Sequence, residues 1–456
     1  MATDTAAPRA IAPRRRFIPF VGETLAYFHD PLSTLLYHYD VFGPVSDYKF
    51  VGRPWTMMLG PDACEIVLRN ADKAFENEGG WGYLIGPFFD RGLMLLDSEE
   101  HHHHRRILQE AFTRDRIADY TSTLGPAIAA GLDRWPSDGK LPAYPALKDL
   151  TLELATTIFM GGADPSTGSG TKSEADELAR VNRAFVNCVH AGLGFIRAGV
   201  PGTRWWRGLR GRRVLEEFFR RHIPARRAST GTDLFSALCH IETDDGHRLS
   251  DDDVVNHMIF LLMAAHDTST ITVTTMMQQL GQHPEWQARC RAESEALPLH
   301  PSLDEIDTLT SLDLVMKECL RLVPPVPGVA RQAVKDTEVL GHRIPAGRRV
   351  TVAVHLSHHL PELWPDPERF DPERFADHRR EDKVHRYAWQ PFGGGVHKCI
   401  GLYFGTVEVK MIVHQLLRRF EWTVHPDYVA PMNYHSLPFP KDGLPVDLRP
   451  LEKDVA

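Results

Sequence analysis

Cysteine is scarce in this sequence. There are six among 456 residues, Cys64, Cys188, Cys239, Cys290, Cys319 and Cys399, with no C-x-x-C pair. That excludes a disulfide framework and suits a reducing compartment in which a thiol is free to act. Long apolar runs are also missing. Met258 to Ala265 is the longest of interest, against the roughly 18 residues a membrane span needs. The opening stretch MATDTAAPRAIAPRRRFIPF contains no apolar segment suited to secretion, so the expectation is a cytoplasmic protein without a membrane span. Positive charge is not in excess: 52 Lys and Arg stand against 60 Asp and Glu, a net charge of −8. A general nucleic-acid binder needs clustered cations, so nucleic acid is not an expected partner. No internal repeat occurs. Apolar residues at 43% and charged residues at 25% are ordinary globular values, which argues against whole-chain disorder, collagen-like repeats and coiled coil.

Along the chain, residues 1–16 are rich in Ala, Pro and Arg and read as a flexible tail. Residues 17–456 read as a single domain. Asp47 to Leu59 predicts two short strands about a turn at Gly52, Arg53 and Pro54, and Pro61 opens a helix. Residues 75–97 look like an aromatic loop, residues 163–174 a polar loop, and residues 186–205 a mobile connection between helices. Ser250 followed by Asp253 is a helix start resembling a capping box. From there the chain stays helix-compatible to Gln282, and Pro284 stops it. The middle of that helix is apolar all round, which predicts burial. A second helix runs from Leu309 to Leu322, strands return over residues 337–354, and a last helix spans Ile400 to Phe420. The pattern is mainly α, with small β-sheets from the two ends of the chain. Regular βα alternation is absent, which argues against a doubly wound parallel sheet.

The sharpest feature is Phe392 to Gly401, FGGGVHKCIG. Its three consecutive glycines permit positive φ and a tight turn. Cys399 then stands at the mouth of a helix, where the dipole and free N–H groups favour a thiolate. Gly401 lets a flat group approach the backbone closely. A thiolate held this way is a strong axial ligand for porphyrin iron.

With Phe392, Gly395, Cys399 and Gly401 the segment fills F-x-x-G-x-x-x-C-x-G and resembles the cytochrome P-450 superfamily of haem-thiolate monooxygenases. Further segments share the resemblance. Glu318 and Arg321 form an E-x-x-R whose spacing puts both on one helix face, and Arg374 lies in the DPERF that follows. The resemblance implies that these three form a structural ion-pair network, and it favours Arg374 over Arg369 of a duplicate PERF. Ala264, Ala265, His266, Asp267 and Thr268 look like the family's A-G-x-D/E-T motif, with Ala265 replacing the usual glycine. Asp267 and Thr268 would then relay protons to oxygen, the carboxylate connecting the relay to solvent. HHHHRRILQEAF matches a family helix in which His101 and Arg105, one turn apart, meet the haem propionates. Arg331 and His397 fit the same role by position. Four consecutive histidines cannot converge on one metal ion from a helix.

The resemblance implies a helix-rich triangular prism with haem b between the long central helix and the cysteine-loop helix. Ala264 and Ala265 would lie against the haem. Matching positions give substrate-pocket walls of Trp81, Tyr83, Leu84, Phe88 and Leu93, of Leu262 and Met263, of Val326, Val329 and Ala330, and of Leu437 and Phe439. So apolar a lining predicts a lipophilic substrate such as a steroid, terpenoid or fatty acid, since buried polar groups without partners cost free energy. Only 55 residues follow Gly401, too few for a flavin reductase segment. The expectation is a monomer fed by a separate ferredoxin and its reductase, with Arg105, Arg106, Arg114, Lys398, Arg418 and Arg419 as a basic docking face. The alternatives are a haem-binding sensor or sequestering protein without turnover, and a peroxide-driven peroxygenase. The intact pair Asp267 and Thr268 argues for the monooxygenase.

Overall fold

The computed structural model describes residues 23–50, 52–136, 139–161, 172–192, 197–242 and 246–451. The tail expected over 1–16 lies outside the described residues, as does most of the polar loop expected over 163–174. The expected hairpin forms as β1 (Val45–Phe50) and β2 (Arg53–Met58). With β3 (Phe75–Glu76), β4 (Val329–Ala333) and β5 (Arg349–Val352) it builds a five-stranded sheet in the order β1-β2-β5-β4-β3. Only the β2–β5 pair is parallel. Gln332 and Arg331 of β4 lie opposite Arg349 and Val350 of β5.

The helices that build the site are α1 (Tyr83–Phe89), α2 (Ser98–Gln109), α3 (Ala143–Met160), α4 (Lys172–Gly192), α5 (Arg204–Arg227), α6 (Asp251–Gln282), α7 (Thr310–Leu322) and α8 (Leu402–Arg419). The segment expected as an aromatic loop over 75–97 is thus partly helical: a π-turn at Glu78–Gly82 runs into α1. The connection expected over 186–205 is shorter than read, because α4 continues to Gly192 and α5 starts at Arg204.

Helix α6 forms where the sequence puts it. Ser250 caps its first turn through its hydroxyl, which accepts from the Asp253 N–H at 3.1 Å, and Asp251, Asp252 and Asp253 face the positive end of the dipole. Its 32 residues span about 48 Å at 1.5 Å each, through the main core. Burying so threonine-rich a helix requires that its hydroxyls be satisfied. Those of Thr270, Thr274 and Thr275 donate to the carbonyls four residues back, at 2.7–2.9 Å. Helix α3 is registered on α6 by Thr151–Thr270 (2.6 Å) and by His266 Nε2 to the Lys148 carbonyl (3.1 Å). Helices α4 and α5 touch backbone to backbone. A Cβ on Gly211 would sit 2.4 Å from the Ala184 carbonyl oxygen, so only glycine allows that approach. No helix among the described residues is long and apolar enough to cross a membrane.

Candidate functional site

A cavity of about 1440 Å³ lies between α6 and the cysteine loop. The loop is shaped by backbone geometry. Gly393 and Gly395 adopt φ of 67° and 64°. A side chain on Gly395 would place its Cβ 1.9 Å from the Leu68 carbonyl oxygen. The Cys399 N–H donates to the Phe392 carbonyl at 3.0 Å, which turns the thiol toward the cavity. Cys399 is the one exposed cysteine, the other five being buried, and the space it faces is the cavity. Surrounding protein still withdraws water from it. Burial pushes the thiol up, and the Gly401 N–H, Arg105 and Lys398 pull it only partly back. Gly393, Gly401 and Gly405 line the same wall, and a Cβ on any of them meets nothing within 4 Å. The wall is open there.

Buried connections hold this loop from behind. Arg321 pairs with Glu318 through two hydrogen bonds, 2.7 and 2.8 Å, with both side chains fully buried. Arg374 joins them at 3.5 Å from Glu318 Oε1. Arg321 also donates to the His358 carbonyl at 2.9 Å. His358 faces the Arg321 carbonyl with Nδ1 (3.2 Å) and accepts the Gln390 N–H at Nε2 (3.0 Å). These partners require a neutral ring carrying its proton on Nδ1. Burial agrees, since it pushes the His358 pKa down to about 3. Gln390 in turn accepts the Gly393 N–H at 3.0 Å. The three-residue network thus reaches the cysteine loop through His358, which sequence reasoning missed.

On the opposite wall α6 presents Met263, Ala264, Ala265, Asp267 and Thr268. The Thr268 hydroxyl donates to the Ala264 carbonyl at 2.8 Å. Asp267 Oδ1 lies 3.0 Å from Lys148 Nζ on α3 and 3.2 Å from His266 Nδ1. Burial raises the Asp267 pKa, but these two neighbours outweigh it and hold the carboxyl well below the usual range. Asp267 is therefore a clamped anion rather than an open route to solvent. Ser269, the residue after Thr268, donates to the buried carboxyl of Glu408 on α8. Desolvation pushes Glu408 up to about 7, and it also lines the cavity. Nothing in the motif around Thr268 pointed to Lys148 or Glu408.

His101, Arg105, Arg331 and His397 converge at the cysteine end of the cavity. The rings of His101 and His397 lie 3.9 Å apart, and the buried His101 Nδ1 has no hydrogen-bond partner. Burial and the cations around it lower the His101 pKa to about 3. Burial brings Arg331 down to about 10. Among the described residues no carboxylate lies within ion-pair distance of Arg105 or Arg331. Asn77 and Asp97, both missed by the sequence reading, complete the cluster. Asn77 Nδ2 lies 2.9 Å from His397 Nδ1, and Asp97 Oδ1 lies 3.3 Å from His397 Nε2.

Phe392, Trp81, Leu93, Val326, Val329, Leu437 and Phe439 line the cavity as expected from matching positions. Five expected wall residues do not. Tyr83 is sandwiched between the guanidinium groups of Arg197 (4.6 Å) and Arg349 (4.1 Å). Leu84 packs into the core beside it. Phe88 is fully buried edge-on to Trp205 at 4.8 Å. Leu262 turns into the core, one position and about 100° from Met263. Ala330 points to the opposite face of β4 from Val329 and Arg331. The first three errors share a cause: read as loop, residues 83–89 had no face. As a helix they present Ile85 and Phe89, four apart, to the cavity. The proposed basic face is also reduced. Arg114 pairs with Asp304 and Asp307, Arg419 with Asp133, and Arg418 donates to the Ser294 and Leu297 carbonyls.

The family model described as Cytochrome P450 matches residues 13–446. A Mycobacterium tuberculosis protein named cytochrome P450 136 is 46% identical over 437 residues, covering 95% of this chain and 87% of its own. Rat lanosterol 14-alpha demethylase is 26% identical over 428 residues, covering 92% and 84%. The solved structure of retinoic acid bound cyanobacterial CYP120A1 superposes with a TM-score of 0.82 at 27% identity, over 95% of this chain and 98% of that one.

Proposed function

The chain belongs to the cytochrome P450 family of haem-thiolate monooxygenases, and from that premise we propose that Cys399 would hold the haem iron through its sulfur and that α6 carries the proton-delivery groups. The residues fit a haem, read here as haem b. The Cys399 thiol lines the cavity beside the open space left by Gly393, Gly401 and Gly405. At one edge stand two guanidinium groups without a carboxylate partner and the unpartnered His101 Nδ1, which suit the two haem carboxylates. That convergence in one cavity is the observation carrying the reading.

Bound there, a haem supplies the binding and activation of dioxygen. The chain's own residues supply the surroundings. Thr268 Oγ1 holds a proton on the cavity wall, directed at the Ala264 carbonyl, and a side-chain rotation re-aims it into the cavity. Asp267, kept ionised by Lys148 and His266, takes up a proton at Oδ1 only when Lys148 Nζ moves off. Glu408, raised to about 7 by burial, gains and loses its proton near neutral pH, behind Ser269. Trp81, Phe89, Leu93, Phe260, Val326 and Leu437 exclude water from the reacting region. The substrate is a lipophilic molecule of the steroid, terpenoid or fatty-acid kind, hydroxylated at a C–H bond. The retinoic acid bound in the CYP120A1 structure supports that class. Electrons come from a separate ferredoxin and its reductase, and the exposed Lys398 offers a cation beside the thiol.

The carbon monoxide difference spectrum of the reduced protein tests the ligand. We expect the strongly red-shifted Soret band of thiolate ligation, lost in Cys399→Ala. A variant that keeps the band removes Cys399 from this role.

A further inference from the structure

The cavity is not apolar throughout. At the end reached through Asp267 its lining includes Lys148 of α3, His190 of α4, and Arg204 and Arg207 of α5. His190 feels Lys148, Asp267, Arg204 and Arg207 together, and burial and the cations lower its pKa. These are different charges from the set around His101 and His397, which feel Arg105, Arg331 and Asp97. The cavity therefore has two cationic ends, and only one adjoins Cys399.

The second end is short of anions. Asp267 is the one carboxylate in its lining, and it is occupied by Lys148. Elsewhere on α5 five arginines pair with carboxylates, Arg212 with Glu216, Arg220 with Asp252, Arg221 with Glu177, Arg226 with Asp233 and Arg227 with Asp251, while Arg210 lies over the Trp206 ring at 4.8 Å and neither it nor Arg213 lines the cavity. Arg204 and Arg207 have no carboxylate within ion-pair distance among the described residues. Three apart on a helix, they point to one side, and that side is the cavity. Of the α5 arginines only Arg204 and Arg207 line the cavity, both are exposed, and neither is held by a carboxylate, so an anion at that end of the cavity can reach both guanidinium groups. The rest of the chamber is walled by Trp81, Ile85, Phe89, Phe260, Val326 and Leu437.

We propose that the substrate is a lipophilic acid, an apolar skeleton carrying one ionised carboxylate that Arg204 and Arg207 hold. A neutral lipophile of the same shape fills the apolar walls but leaves the guanidinium pair to water. The inference rests on the monooxygenase reading only in taking this cavity as the substrate chamber.

Calorimetric titration of the haem-loaded protein with matched pairs tests it: lauric acid against 1-dodecanol, retinoic acid against retinol, and lithocholic acid against its alcohol. At least one acid should bind about tenfold tighter than its alcohol at low salt, the effect of two solvent-facing charge contacts. The gap should shrink as salt rises. In Arg204→Gln/Arg207→Gln it should close while the alcohol keeps its affinity, and Arg204→Lys/Arg207→Lys should restore part of it. The proposal is overturned if no acid binds, if every alcohol binds as well as its acid, or if the gap survives the glutamine pair. The Soret band of the same samples reports ligation independently. Failed acid binding with the thiolate band intact sinks this inference alone, and a lost band sinks the ligand assignment alone.

Discussion

Glu408 is the residue whose protonation the fold perturbs in the most testable way. Its carboxyl is buried, its hydrogen-bond partner is the Ser269 hydroxyl, and desolvation raises its pKa from 4.5 to about 7. A group that binds its proton more tightly when folded lends stability that is complete below the unfolded value. That stability is withdrawn as pH rises through the folded one. Glu408→Gln removes the ionisation. Its melting temperature should therefore gain on the wild type progressively between pH 5 and pH 7, by up to about 1.4 kcal/mol per pH unit, and hold that lead at higher pH. A constant difference across the range would mean that Glu408 ionises as an ordinary surface carboxylate does.

At the scale of elements, Gly395 and Gly401 of the cysteine loop have different reasons to be glycine. Gly395 is held at positive φ with a backbone oxygen where a Cβ would go. Gly401 has ordinary dihedrals and open space before it. Gly395→Ala should cost at least about 2 kcal/mol of stability, read as a lowered melting temperature. Gly401→Ala should melt as the wild type does without cofactor, yet retain less haem on purification, because its methyl group projects into the space the cofactor needs. Equal melting temperatures for the two variants would contradict the assignment. Sequence reasoning could see the loop, because three successive glycines set a tight turn and a lone cysteine follows them at a helix mouth. It could see α6 because a cap, an apolar middle and a proline stop agree. It could not divide the wall residues Trp81 to Leu93 into lining and core, since that division depends on the helical phase of seven residues containing Gly86 and Pro87. Nor could it find Lys148, His358 or Glu408, which act from other elements and reach the site only through packing.

Across the whole molecule, buried neutral histidines set an acid limit. His257, His355, His358 and His414 are buried, and desolvation lowers their values to about 3, 4, 3 and 4 from 6.5. The unfolded chain binds their protons first, so their contribution is intact above about pH 6.5 and drains away as pH falls toward the folded values. Each withdraws up to about 1.4 kcal/mol per pH unit in that window. Thermal unfolding followed by circular dichroism should show the melting temperature dropping steeply from pH 6.5 to pH 5, against the opposing slope from Glu408. A flat profile would mean that these rings already carry charge in the folded state.

The sheet has a consequence for how the chain is made. The Tyr48 hydroxyl bonds to Thr351 at 2.8 Å across 303 residues, and β2 finds its parallel neighbour only at β5. During translation the early hairpin leaves the ribosome with one edge open and waits for most of the polypeptide before that edge is covered. Pairing so distant is slow to form. Overproduction at low temperature, or with a holding chaperone present, should raise the yield of soluble product more than any substitution in the chamber would.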